Sequence, residues 1–174
     1  MKLVPYDPSY LPLFIEWRNQ PLSVRHNPLE PRSTEEIGQG LAGEGSSFAV
    51  LARFANYRWF VTTDKEPVGT VSLKNISHSM GYAEIGYGIG QRHHGKGIAT
   101  SAVALLVEKV FRETGLRKLI AYVHVENEAS RRVLQKLGFR EEGLLREHYL
   151  IQGRPVDEVL YGLLKLEWES RKGS

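Results

Sequence analysis

The chain has 174 residues, of which 41% are hydrophobic and 25% charged, with a formal charge of +3 and no cysteine. That length suits one domain, residues 1–174, able to bury a sheet under helices, and the missing cysteines exclude disulfides, thiolate metal sites and cysteine nucleophiles. The small charge and short basic clusters (Arg131-Arg132, Arg171-Lys172) argue against nucleic acid as a partner; with no apolar leader core and no run able to span a membrane, a cytoplasmic setting is expected.

Lys2 to Tyr6 reads as a short edge strand, where Pro5 is tolerable. Asp7 and Ser9 are capping residues ahead of Leu11, Leu13, Phe14 and Trp17, whose spacing places them near one helical face. Ser33-Thr34-Glu35-Glu36 starts a second helix by the capping-box rule, and Gly43 with Gly45 ends it. Phe48 to Phe54 fits helix or strand equally. Trp59–Thr62 and Val68–Leu73 are β-rich runs joined by Asp64-Lys65-Glu66-Pro67, a hairpin, and Tyr82 to Ile89 is a third strand. Ile98 to Phe111 carries apolar residues at helical spacing and ends near Gly115. Leu119–Val123 is a strand, and Ala129–Leu137 a short helix closed by Gly138. Glu142–Leu150 and Pro155–Lys165 form a last hairpin around Gln152-Gly153. Strand-helix-strand from Ala83 to Val123 implies one parallel pair in a mostly antiparallel sheet.

The sharpest local signal is Arg92-His93-His94-Gly95-Lys96-Gly97-Ile98-Ala99-Thr100, between a strand and an amphipathic helix. Glycines there let backbone approach a ligand and aim several amides at one spot, and a helix N-terminus adds partial positive charge. The segment therefore suits a phosphate or pyrophosphate, with Arg92 and Lys96 as cationic contacts; the alternative is a glycine-rich turn with no ligand. The Walker pattern is absent, and Gly88 and Gly90 lack the third glycine of a dinucleotide fingerprint.

Arg92-x-x-Gly95-x-Gly97 resembles the acetyl-CoA pyrophosphate loop of GNAT acetyltransferases. Ala83-Glu84-Ile85-Gly86-Tyr87 before it is similar to the family's cofactor strand, and Asn127-x-x-Ser130 through Gly138-Phe139 to its Asn-x-x-Ser helix. The tail from Gly143 through Gly153, Asp157 and Tyr161-Gly162-Leu163-Leu164 looks like the ribosomal-protein alanine acetyltransferase (Rim) branch. The likeness covers roughly residues 57 to 168 and, more weakly, Leu3 to Asn19. It implies a GNAT-type α/β fold: a mixed, mostly antiparallel twisted sheet, helices on both faces, and a cleft where two strands splay.

The resemblance implies direct acetyl transfer from acetyl-CoA to a primary amine: a protein N-terminus of ribosomal-protein type, or a small molecule such as a polyamine or aminoglycoside. It assigns to acetyl-CoA Tyr87, Gly88, Ile89, Gln91, Arg92 and His93, then Gly95, Lys96, Gly97, Ile98, Ala99 and Thr100, with Asn127 and Ser130. Gly88 to Gln91 would track the pantetheine, and Glu84, Gly86, Gly88 and Gly90 alternate as if leaving one face open for it, although glycines also mark bends. Glu84 takes the place of a general base acting through water; the alternative is a surface carboxylate on a strand edge. An amide near Tyr87 to Ile89 would meet the oxyanion. Asn127 suits both a cofactor contact and a helix cap. One departure is Leu134, where many relatives carry a tyrosine that protonates the thiolate; Ser130 is the substitute, and Tyr87, Tyr122 and Tyr149 read as core-edge aromatics.

His93 and His94 suit phosphate contacts, and His124 with Glu126 do not make a metal site, so no metal is expected. Trp17, Trp59 and Trp168 read as core or cleft-wall aromatics. The acceptor site is expected between Arg25 and Tyr57 together with the final hairpin, where Glu30, Glu35, Glu36 and Glu44 could attract a cation. The resemblance also admits a homodimer. The rival reading is a non-catalytic acyl-CoA-binding sensor, to which Leu134 lends weight and Glu84 does not.

Overall fold

A computed structural model describes residues 1–50, 54–64 and 66–172. Seven strands form one sheet in the order β1-β2-β3-β4-β5-β7-β6: β1 (Lys2–Val4), β2 (Tyr57–Thr63), β3 (Glu66–Ser77), β4 (Tyr82–Ile89), β5 (Lys118–His124), β6 (Arg140–Ile151) and β7 (Arg154–Leu164). Every neighbouring pair is antiparallel except β4 and β5. That parallel pair follows from the crossover between them, which carries α4 (Ile98–Glu113). Residues 51–53 of the Phe48–Phe54 stretch lie outside the described residues, and Phe48–Val50 is a 3-10 turn. Lys65, in the expected β2–β3 turn, also lies outside them.

Helices cover both faces. Ala102, Val103, Leu106, Val107, Val110 and Phe111 bury one side of α4 against the sheet, the spacing of a single helical stripe. Leu134 of α5 (Glu128–Lys136) is fully buried in the same core. On the opposite face, α1 (Leu11–Asn19) and α3 (Thr34–Ala42) bring Trp17 and Leu41 onto Phe60. The Tyr6, Tyr10, Phe14 and Trp17 rings lie 5.1 to 6.2 Å from that of Phe60. Ser33 and Glu36 form the reciprocal capping box of α3, and Gly43 is its C-cap.

Two helices were not expected. The extended Gln20 ends α1, and the chain restarts as α2 (Pro21–His26) with proline in its first turn, a position that needs no amide hydrogen. At the other end Lys165 does not close β7 but opens α6 (Lys165–Lys172), whose Glu167 carboxylate accepts the Leu164 amide at 3.2 Å. Trp168 of α6 packs its ring 5.4 Å from that of Phe111.

The feature that positions the site is a fork. The β4–β5 ladder consists of Tyr82↔Lys118, Ala83↔Leu119 and Glu84↔Ile120 only. Beyond it β4 continues along β3 and β5 along β7, so the two strands part. Leu134 anchors α5 beside this opening. Leu134→Ala should therefore cost about 2–5 kcal/mol of stability in urea unfolding; a variant as stable as wild type would show that α5 does not depend on that contact.

Candidate functional site

A cavity of about 360 Å³ opens at the fork. β4 supplies Tyr87, Gly88 and Ile89 to its wall, the loop and α4 supply His93, Gly95, Gly97, Ile98, Ala99 and Thr100, and α5 supplies Ser130 with its cap Asn127. Eleven of the residues expected from sequence are thus brought together. Gly95 and Gly97 both have φ of +74°, and a Cβ on either would meet only open space. Gly97 caps α4 without any side-chain bond to the first turn, which leaves the leading amides of a 16-residue helix to a ligand. The donor set and the space before it fit a pyrophosphate.

Gln91, Arg92 and Lys96 do not line this cavity, contrary to expectation. The Gln91 amide donates to the Gln20 side chain at 2.8 Å. Arg92 turns to Glu16 on α1, at 3.7 Å, and Lys96 Nζ donates to the Arg92 carbonyl at 3.2 Å. The expected open glycine face is also narrower than the sequence suggested. Only Gly88 faces free space; a Cβ on Gly86 would sit 2.8 Å from Ser72 Oγ, and one on Gly90 2.5 Å from Trp17 Nε1.

His94, read with His93 as a phosphate contact, also lines the cavity, and several lining residues have no counterpart in the sequence reading: Gln20 and His26 from the α1–α2 segment, and Arg132 and Lys136 from α5. The last two had a legible signal, since Ala129, Arg132, Val133 and Lys136 recur at the spacing of one helical face. His26 Nε2 is buried without a hydrogen-bond partner. Burial, then the neighbouring His124 and Arg25, hold its imidazole below the usual range, so it offers a neutral ring to the cavity.

Tyr87, expected both among the acetyl-CoA contacts and as a core-edge aromatic, lines the cavity and also has a hydroxyl partner. Its hydroxyl lies 2.6 Å from Ser130 Oγ and 3.1 Å from the Ser130 carbonyl. Burial, against the opposing bond from Ser130, pushes its phenol up to about 12, so it remains a donor at neutral pH. Leu134 is fully buried in the core, and the hydroxyls at this end of the fork are those of the Tyr87–Ser130 pair. Asn127 Oδ1 accepts the Ser130 amide at 3.1 Å, capping α5 while lining the cavity.

Glu84, the last β4 residue to pair with β5, is not a surface carboxylate; it is 4% exposed. Lys74 Nζ lies 2.8 Å from Oε1 and Asn75 Nδ2 donates to Oε2 at 2.6 Å. It sits on the sheet face opposite the α4 core and outside the cavity wall.

The acidic residues expected to gather the acceptor are engaged elsewhere: Glu44 with Arg58, Glu36 in its cap, Glu35 with Gln39, and Glu30 with Arg32. The buried carboxylates near the fork are Glu84 and Glu158.

His26, His124 and Glu126 place ligand atoms within 4.8 Å of one another. Yet His124 Nδ1 accepts the Glu126 amide at 3.1 Å, which puts the proton of a neutral ring on Nε2, and Arg25 holds Glu126 at 3.0 Å. That arrangement does not suit a metal.

The chain matches the Acetyltransferase (GNAT) domain over residues 1–140. It is 36% identical over 128 residues to the uncharacterized N-acetyltransferase p20 of Bacillus licheniformis, covering 74% of this chain and 67% of that protein. It is 30% identical over 110 residues to the [Ribosomal protein uS5]-alanine N-acetyltransferase of Escherichia coli K12, covering 63% of this chain and 57% of that one. Among solved structures, a spermidine N-acetyltransferase SpeG chimera from Vibrio cholerae and hSSAT superposes with a TM-score of 0.82 at 24% identity, covering 98% of this chain and 100% of that chain. Among the described residues no helix is long and apolar enough to cross a membrane.

Proposed function

Because the chain belongs to the GNAT acetyltransferase domain family, we propose that it is an acetyl-CoA-dependent N-acetyltransferase that passes the acetyl group directly to a primary amine. The observation that carries this reading is the fork, with an uncapped helix N-terminus and a hydroxyl pair in its cavity and a buried carboxylate at its base. The α4 amides and the glycine loop would hold the pyrophosphate, and Arg132 and Lys136 lend positive charge to the same cavity. Acetyl-CoA supplies an activated thioester. Tyr87 and Ser130 then serve as hydrogen-bond donors to the departing sulfur, and Glu84 as the base that takes a proton from the acceptor nitrogen through water.

The sensor reading rests on Leu134; the Tyr87–Ser130 hydroxyl pair at the fork supports the enzyme reading instead. Relatives point to two acceptor classes, a ribosomal-protein alanine and spermidine. An acetyl-CoA consumption assay decides among them, using N-terminal Ala and Ser peptides, polyamines, aminoglycosides and free amino acids. Binding of acetyl-CoA without turnover on any amine would sink the enzyme reading. The proposal keeps the cytoplasmic setting and the homodimer, the latter read by light scattering.

Ser130→Ala should slow turnover, but by less than about 10²-fold, because a thiolate of pKa about 8.5 is a tolerable leaving group. The defect should not recover at high pH, where protons are scarcer. Wild-type turnover in the variant would remove Ser130 from the donor role.

A further inference from the structure

An alkylamine, pKa about 10.4, reaches a neutral-pH enzyme as the ammonium ion. Turning it into an amide removes two protons from nitrogen. One can be matched by the proton that the thiolate gains; the other must leave the site. Glu84 serves one removal, but it is buried and already holds Lys74 and Asn75, so it is poorly placed to discharge a proton to water.

A second basic group stands on β6. Between Leu145↔Glu158 and Tyr149↔Val156 the β6–β7 register slips, so three β6 residues face Asp157 alone. Glu147 takes φ of +50° there, and its amide donates to Asp157 Oδ1 at 2.8 Å. Such a bulge re-aims the side chain that follows it. His148 Nδ1 thereby lies 2.9 Å from Glu158 Oε2, with side-chain exposures of 37% and 6%. Its ring packs 5.3 Å from Tyr122 and 4.7 Å from Tyr149.

Tyr122 lies on the part of β5 that has left β4. After burial, Glu84 and Glu158 help raise both the Tyr122 and Tyr149 phenols, which puts the four groups in one electrostatic neighbourhood. Burial, partly offset by His148, raises the Glu158 carboxyl. As an ion it accepts from Nδ1–H and leaves Nε2 free to take a proton.

We propose that His148 Nε2 takes the first proton from the acceptor ammonium, with Glu158 as its positioning residue. The N–H bond breaks, its electron pair stays on the amine nitrogen, and the proton bonds to Nε2. The resulting imidazolium is balanced by Glu158 and, being exposed, passes the proton to water. The charged and titratable groups that face the ring are Glu158 from β7, Tyr122 from β5 and Tyr149 from its own strand; Glu84 from β4 and Lys74 from β3 act on Glu158 behind it. This inference rests on the acetyltransferase reading.

The test compares wild type, His148→Ala and Glu158→Gln on two acceptors. One is the amine that the panel identifies; the other is its analogue fluorinated beside the nitrogen, which is already neutral at the assay pH. His148→Ala should lower kcat/KM for the ammonium acceptor by about 10²-fold, with acetyl-CoA affinity unchanged and part of the rate restored by added imidazole. For the neutral analogue the loss should stay within about twofold. Glu158→Gln should show the same contrast, more weakly. Equal losses on both acceptors without imidazole rescue would make His148 a packing residue and overturn the inference, as would a wild-type rate on the ammonium acceptor. Should His148→Ala fail to fold, His148→Gln carries the same comparison. A wild-type enzyme inactive on every amine would bring down the function reading first, and this inference with it.

Discussion

Gly97→Val should weaken acetyl-CoA binding by at least about 10²-fold, or about 2.7 kcal/mol, while the domain stays folded. Gly97 sits at φ +74° and ψ 0° as the N-cap of α4. A left-handed residue with a side chain costs about 1–2 kcal/mol, and a β-branched one is a true outlier there. The backbone would relieve that strain by turning the loop, which takes the α4 amides off their aim. The space in front of Gly97 is open, so the valine methyls would also enter the volume meant for the ligand. Calorimetry measures the affinity and circular dichroism the fold. Gly115→Ala is the control, since Gly115 lies beyond α4, has open space around it, and should bind as wild type. A folded Gly97→Val protein with unchanged affinity would show that the loop does not hold the pyrophosphate.

What was legible in the sequence was local. The apolar stripe of α4, the Ser33 capping box and the bounds of β4 depend on residues within a turn or two of each other, and they stand where the spacing put them. The single parallel pair followed from connection rules alone. Long-range choices were not legible. Arg92 and Lys96 lie in a phosphate-type loop, yet nothing in that loop reveals that both stay off the cavity wall, with Arg92 3.7 Å from Glu16 on another helix. The Tyr87–Ser130 pair joins residues 43 positions apart, and period-two alternation says only which face Tyr87 takes. The His148–Glu158 contact depends on a bulge, and strand alternation assumes a regular ladder. The four glutamates between Glu30 and Glu44 looked available because composition cannot show that each already has a partner.

Glu84→Gln should lower kcat by about 10²–10⁴-fold with acetyl-CoA affinity little changed. The substitution keeps shape and volume. Its amide oxygen can still accept from Asn75, and Lys74, with 43% of its side chain exposed, can turn to water. Stability should therefore change little, and the loss would belong to chemistry. What disappears is a proton acceptor at the last rung of the β4–β5 ladder. In the proposed division of labour Glu84 acts on the amine that has already lost its first proton, taking the second as the carbon–nitrogen bond forms. The Glu84→Gln deficit should then be as large on the neutral fluorinated acceptor as on the ammonium one, whereas the His148 deficit should vanish there. A pH–rate profile adds a second contrast. Raising the pH supplies neutral amine and relieves the His148 variant, but it does not replace a base needed during attack, so the Glu84 variant should stay slow. Wild-type rates for Glu84→Gln at neutral pH would refute the assignment. Selection of the neutral amine by desolvation would then account better for the buried carboxylate, with Glu84 left to hold Lys74 and keep the fork in shape.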